Sequence, residues 1–397
     1  MSRAPTWFLR GLVFCCSLAL SLAAAEWMAR LAGQWRETAQ QGPDYGDTWA
    51  EGERMGPGGY LQPDFRARVI DGRGGTVLWH NNSQGFRNES EFSRHPPPAT
   101  LRILSLGDSF AAGYRVGQHQ TYSYLLQQWV SKRGGPTQVL LACTESPFNA
   151  YLYLSDYGLD WNPHVVLLQI TLGNDVLQDY VSLHPEAIGF AHGLETMEFP
   201  AHVLRPPDPP PQPSDWALLR LFGQPRQGIA SWYPAGARLF DPSSGLGLFL
   251  KQPPPSIEVA YQRHFQVLSM LQEMFQQSSV RLVVVLAPQR FQVQRRLDWP
   301  PTVARYGLRQ EHFDLELPNR RILQECRRLG LLCIDPTETM GEIHRTWGRD
   351  LYLPGGDMHW NPAGHRSFLQ ALKPHLLPLL EEERKRLAPP GRLRPGS

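Results

Sequence analysis

Cysteine is scarce in this chain, at five in 397 residues. Cys15 and Cys16 fall in an apolar leader, and the remaining Cys143, Cys326 and Cys333 are too few for a disulfide framework. Cys326 and Cys333 could pair in an oxidising compartment, but the expectation is that both are small core residues. An excess of charge of one sign is also lacking. Lys and Arg number 39 against 37 Asp and Glu, a net charge of +2, so the chain carries no basic footprint for nucleic acid. No internal repeat is present, which excludes a solenoid. No lipid-attachment pattern is present either, because Phe14 before Cys15 is too large.

A full-length membrane span is only marginally available. From Trp7 to Ala25 the chain is apolar, close to the ~20 residues a span requires. Arg3 and Arg10 stand at its start and Ala23-Ala24-Ala25 close it before Glu26, the pattern of an export segment with a possible cleavage point. Arginines on the N-terminal side imply that the rest of the chain is translocated. Residues 1–30 are therefore read as a signal or anchor helix. If kept, it tethers an extracytoplasmic domain to the membrane; if cleaved, the protein is secreted. A buried structural helix is the bland alternative.

What is present begins with Leu101 to Gly113, LRILSLGDSFAAG. Ile103, Leu104 and Leu106 have strand character and stop at Gly107-Asp108-Ser109, after which Tyr122, Leu125, Leu126 and Trp129 recur at helical spacing. Ser109 thus sits where a strand turns into a helix. There its hydroxyl can stand above the carboxyl edge of a parallel sheet, beside backbone N–H groups able to hold an oxyanion. Asp108 or Ser109 could instead simply cap a helix. A second buried strand, Val165 to Ile170, ends in Leu172-Gly173-Asn174-Asp175 and presents an Asn amide as a donor. A Gly-Asn turn followed by a capping Asp175 would look the same. The third block, Gly356 to His365, places Asp357 and His359 two residues apart ahead of an amphipathic helix. A carboxylate can there hold one imidazole nitrogen while the other faces Ser109. A metal site would need more ligands than one carboxylate, His359 and His365, with no cysteine pair beside them. No metal or cofactor is therefore expected.

Length and alternation set the architecture. Beyond the leader about 370 residues remain, more than one minimal core at ~100 to 200 residues per domain but suited to one α/β domain with a large insertion. Strands are expected over 102–106, 138–142, 165–170, 281–286 and 331–334. Helices are expected over 121–132, 149–159, 257–276, 318–329 and from Pro362. This alternation predicts a three-layer α/β/α fold around a central parallel sheet, flavodoxin-like in class. Residues 31–100 read as a linker followed by an edge element packed on the catalytic domain, with Thr76 to Trp79 strand-like. The domain proper spans 101–380. Its Pro-rich stretch 183–256, with a short packing helix over 216–222, is read as a cap over the site. Residues 381–397 form a charged tail, whose run 381–386 reads as a solvated helix end.

Taken together and in this order, the three blocks resemble the SGNH, or GDSL-type, hydrolase superfamily. Ser83-Gln84-Gly85-Phe86-Arg87, Gly158-Leu159 and Asn162-Pro163 are similar to a membrane-anchored bacterial branch of it. The resemblance implies Ser109 as nucleophile, His359 as general base and acid, Asp357 as its orienting partner, and Asn174 as an oxyanion donor beside the Ser109 N–H. The family's further donor is a glycine after the second strand. Here Leu141 to Pro147 contains none, so a main-chain N–H at or just after Cys143 is expected instead. Asp and His are separated by Met358 alone, where many members have two residues between them. The implied activity is a serine-dependent esterase acting outside the cytoplasm on an acylated, chiefly acetylated, small molecule, glycan or lipid. The alternatives are an O-acyltransferase for an exported polysaccharide and a catalytically silent cell-envelope binding module.

Overall fold

The computed structural model of the protein describes residues 55–56, 60–71, 75–183 and 245–387. The leader, the helix expected over 216–222, most of the Pro-rich cap and the tail beyond residue 387 lie outside the described residues. In chain order the strands are β1 (Met55–Gly56), β2 (Tyr60–Leu61), β3 (Arg66–Ile70), β4 (Thr76–His80), β5 (Leu101–Gly107), β6 (Thr137–Cys143), β7 (Val165–Thr171), β8 (Arg281–Ala287) and β9 (Leu332–Ile334).

The last five form one sheet in the order β6-β5-β7-β8-β9, with every pairing parallel. Every residue of β5 and β7 is buried, as a sheet covered on both faces demands. Their side chains separate by parity. Leu104, Leu106, Val166, Leu168, Val284 and Leu286 point into one core, and Ile103, Val139, Leu167, Val283 and Val285 into the other. The helices are α1 (Ser109–Ala112), α2 (Tyr122–Gly134), α3 (Pro147–Tyr153), α4 (Asp175–Ser182), α5 (Pro255–Gln276), α6 (Arg290–Val293), α7 (Arg295–Arg305), α8 (Leu317–Leu329), α9 (Thr337–Trp347) and α10 (Pro362–Leu387). The first core is closed by α3, α4, α5, α7 and α8, the second by α2, α9 and α10. This is the three-layer α/β/α architecture that the alternation predicts. The strand order reverses direction between β5 and β7, the switch point at which ligands bind in such sheets.

Several expectations need correction. Cys326 and Cys333 form a disulfide joining α8 to β9 rather than standing as two separate core thiols. The helix expected over 149–159 is shorter: α3 stops at Tyr153, and a π turn (Leu154–Gly158) and a 3-10 turn (Leu159–Trp161) follow. The edge element, expected to pack on the domain, is a separate hairpin outside the main sheet. β3 and β4 pair only with each other, and the hairpin docks through Trp79, which is fully buried. The run 381–386 is not merely solvated. Glu383 is buried and accepts from Arg281 Nε at 3.2 Å, and Arg384 donates to the carbonyls of Gly134 and Gly135 at 2.7 and 2.8 Å. Pro254 and Pro255 start α5 rather than belonging to an irregular segment, a position where the missing N–H costs nothing.

Candidate active site

The sequence LGDSF makes the first corner of the site. Gly107 ends β5 at a φ of 155°, and a Cβ there would stand 2.8 Å from that of Ala111. Only glycine lets strand and helix meet this closely. Asp108 is the N-cap of α1, its Oδ1 accepting the Phe110 N–H at 2.9 Å, so the capping role belongs to Asp108 and leaves Ser109 free of it. As the first helical residue, Ser109 has an N–H with no acceptor inside the helix. Its Oγ lies 2.7 Å from His359 Nε2.

The other end of that imidazole is held by its own neighbour. His359 Nδ1 stands 2.7 Å from Asp357 Oδ1, which also accepts the His359 main-chain N–H at 2.9 Å. With Nδ1–H donating to the carboxylate, Nε2 is left as acceptor for the Ser109 hydroxyl proton. Burial pushes the Asp357 carboxyl up, but the charge of His359, the two hydrogen bonds from it and the Arg115 guanidinium outweigh that and hold it below its ordinary value. The ring is fixed sideways by Phe110 and Tyr114, with centroids 4.9 and 4.7 Å away.

The Asn174 turn makes the second corner. Asn174 occupies the N-cap position of α4 without capping it, while Asp175, the first helical residue, accepts the Thr171 N–H at 2.8 Å. Burial, then the neighbouring Asp108, pushes the Asp175 carboxyl well up. Asn174 Nδ2 donates instead to Asp108 Oδ2 at 3.2 Å, and Asp108 Oδ1 also accepts from Gln169 Nε2 at 3.2 Å. Asp108 thereby ties the nucleophile corner to the oxyanion corner. The Gln178 amide is best oriented with its NH2 toward Glu145 O, at 2.5 Å, and Asp175 Oδ1, at 3.3 Å. Asn174 Nδ2 also stands 3.3 Å from the Gln178 amide.

The expectation at Cys143 is corrected. Thr144 N–H is spent on Gly107 O at 2.8 Å, and in a parallel ladder alternate N–H groups face opposite neighbours. Cys143 N–H therefore faces the outer edge of β6, as Leu141 N–H does toward Asn88 Oδ1, and not toward Ser109. Its thiol is buried with Val69, Trp79 and Ala112, and burial pushes its pKa well up. The next main-chain N–H groups along the chain after Thr144 are those of Glu145 and Ser146, between β6 and α3.

No protein-family profile matches the chain, and no curated protein sequence matches it. Solved structures similar to it include TesA (12% identity, 70% of this chain and 99% of that one, TM-score 0.38) and the acetyl xylan esterase AlAXEase (12%, 70% and 100%, 0.39). Axe2, an acetylxylan esterase from Geobacillus stearothermophilus, is a third (10%, 70% and 94%, 0.35). Likeness at this distance carries no argument about activity.

Further residues at the site escaped the sequence reading. Arg115, at a φ of 56°, brings its guanidinium to 3.6 Å from Asp357 Oδ2. Arg290 donates to the carbonyls of Leu353, at 2.9 Å, and Asp357, at 3.4 Å, and pairs with Asp298 at 2.9 Å. Gln294 joins in, donating to Asp298 and accepting Leu351 N–H. Arg87, from the Ser83 to Arg87 block, is buried under Trp79 and donates to the carbonyls of Ala112, Gly113 and Val116, fixing the chain just after the nucleophile. Burial lowers its pKa to about 9. His365 packs between Tyr122 and Trp360. It is buried, its Nδ1 accepts Tyr122 N–H at 3.3 Å, and burial lowers its pKa to about 3. Among the described residues no group of three His, Cys, Asp or Glu side chains could hold a metal ion.

Proposed function

We propose that this chain is a serine acyl hydrolase of the SGNH, or GDSL, type. The observation that carries the reading is the continuous hydrogen-bonded chain Ser109–His359–Asp357, 2.7 Å at each link, at the switch point of the sheet. In this reading Ser109 Oγ attacks the ester carbonyl as His359 Nε2 takes its proton, and Asp357 stabilises the imidazolium so formed. Ser109 N–H, Asn174 Nδ2–H and a main-chain N–H at Glu145 or Ser146 receive the oxyanion. Collapse expels the alcohol, which takes the proton from His359, and water then repeats the sequence on the acyl-serine. The substrate class is an acetylated carbohydrate or lipid, met outside the cytoplasm. The arginine-flanked apolar leader supports that location, and so does the Cys326–Cys333 disulfide, since such bonds persist in oxidising compartments. The leader lies outside the described residues, among which no helix is long and apolar enough to cross a membrane.

The test is hydrolysis of p-nitrophenyl acetate by the protein and by its Ser109→Ala variant, with intact-mass detection of the acyl-enzyme. Release that falls roughly a thousandfold or more in the variant, and an acetyl adduct on the wild type alone, are expected. Equal rates in the two proteins would end the proposal.

A further inference from the structure

Among the described residues, Asp64, Ala99, Arg115 and Asn162 hold a positive φ without being glycine. Asp and Asn enter that region readily because a short polar side chain can bond locally, and arginine has no such means. Arg115, at a φ of 56°, carries a Cβ where glycine would be favoured, in the turn that leaves the nucleophile helix α1. The turn is held on both sides of it. Arg87 donates to the Gly113 carbonyl at 2.7 Å and to the Val116 carbonyl at 2.6 Å, and Tyr114 N–H donates to Ser109 O at 3.0 Å. A strained residue kept in so firm a frame points to a use of its side chain.

That side chain reaches across to the acid/base loop. Its Nη1 lies 3.6 Å from Asp357 Oδ2, an ion pair longer than a hydrogen bond. The carboxylate is buried and the guanidinium partly so, where salt screens such a pair least. Contacts on the carboxylate divide between its two oxygens. Oδ1 takes both the ring and the main-chain N–H of His359, and Oδ2 faces Arg115. Arg290 also grips this loop, but through the carbonyls of Leu353 and Asp357. One arginine thus fixes the backbone, and the rotation of the carboxylate about Cβ–Cγ, a soft torsion, is left to the other. Tyr114 meanwhile packs on the His359 ring, centroids 4.7 Å apart, and the Arg115 guanidinium lies 5.1 Å from the Tyr114 ring. Two consecutive residues therefore meet both members of the pair.

We infer that Arg115 is a positioning residue of the acid/base pair: by holding Asp357 Oδ2 it keeps Oδ1 on His359 Nδ1 while the ring takes the Ser109 proton and returns it to the leaving alcohol. The inference rests on the proposed serine hydrolase activity and adds the residue, on the nucleophile side of the site, that keeps the relay aligned. Arg115 acts through Asp357 and not on the substrate. If the carboxylate turned, Nδ1–H would lose its acceptor and Nε2 its place opposite Ser109 Oγ.

Glycine tests this without breaking the turn, since it adopts this φ freely. Arg115→Gly in the full chain is expected to keep a cooperative urea transition, while its kcat on p-nitrophenyl acetate falls about tenfold or more with KM little changed. Arg115→Lys, which keeps the charge, is expected to recover part of that loss. A kcat in Arg115→Gly equal to that of wild type, or an equal loss in Arg115→Lys, would overturn the role. A proton signal separates this result from failure of the hydrolase reading. In the Ser109→Ala protein, which needs no turnover, the His359 Nδ1–H resonance is expected at low field, assigned by its loss in Ser109→Ala/His359→Gln. It should broaden into exchange with water in Ser109→Ala/Arg115→Gly. The same sharp resonance in that double variant, or none in Ser109→Ala itself, would overturn the positioning role whatever the fate of the esterase activity.

Discussion

Among the described residues two His–Asp pairs have the same 2.7 Å separation, and they have opposite surroundings. His359 and Asp357 lie at the carboxyl end of the sheet, with Ser109 Oγ on the free ring nitrogen. His264 and Asp179 join α5 to α4 inside the helical layer, both wholly inaccessible, and His264 Nε2 meets no hydroxyl or other partner. Asp179 also accepts Phe148 N–H at 2.8 Å, so this second pair pins the start of α3 to α4. An imidazole–carboxylate contact therefore does not identify a catalytic site. What the second nitrogen faces, and whether a substrate can reach it, separates a proton relay from a structural pin.

The comparison is sharpest if each pair is broken in turn. Asp357→Asn keeps the volume but removes the charge that stabilises the imidazolium and the acceptor that fixes its tautomer. Hydrolysis of p-nitrophenyl acetate is expected to fall by about four orders of magnitude while the thermal midpoint barely moves. A variant within tenfold of wild type would show that the first pair is no relay. Asn174→Ala removes one oxyanion donor and is expected to lower kcat by about 10² to 10³, with KM little changed. Because Asn174 also hangs on Asp108, Asn174→Asp is the companion variant. It restores bulk but no donor, and it should not recover the rate.

The second pair should give the reverse pattern. His264→Leu leaves the Asp179 carboxyl buried without its strongest partner, a change that costs about 3 to 5 kcal/mol in buried pairs. Urea unfolding should show that loss, while the folded variant still acylates at Ser109 in a burst measured with p-nitrophenyl acetate. A variant that kept its stability but lost the burst would put His264 in the chemistry and erase the distinction drawn here.

The first pair was legible in the sequence and the second was not, for a physical reason. Asp357 and His359 are two residues apart in a turn-rich segment, and Ser109 and Asn174 each follow a run that only a buried strand explains. Local pattern thus placed Ser109 and Asn174 at the ends of parallel strands and Asp357 and His359 in the loop ahead of α10, and the resemblance supplied their roles. Asp179 and His264 stand in different helices, 85 residues apart in sequence, each on a face that reads as ordinary core. The same distance hid the Asp108–Asn174 link and the Arg290 contacts to the acid/base loop. Secondary structure failed where a strong local signal pointed elsewhere. Pro300 and Pro301 argue against a helix, yet α7 runs through both. Which main-chain N–H at or just after Cys143 could serve as the further oxyanion donor was not legible, because strand edges, not residue types, decide which way a main-chain N–H points.

A third histidine offers the mildest test, because His365 touches neither pair and its effect appears only in acid. Its folded pKa lies at about 3, against ~6.5 in an unfolded chain, so between those values the unfolded state binds the extra proton. Stability must then rise with pH across that window. It is complete above pH ~6.5 and falls as acid is added, by at most about 1.4 kcal/mol per unit from this one residue. Asp357 adds to the loss at the acid end, since a carboxyl held below its ordinary value stabilises the fold above the unfolded pKa and ceases to do so as pH drops through the folded one. Urea midpoints for His365→Asn should accordingly be flatter than wild type between pH 6.5 and 4, with activity at pH 7.5 unchanged. An equal slope in the two proteins would mean that His365 is not held neutral by its burial against Tyr122.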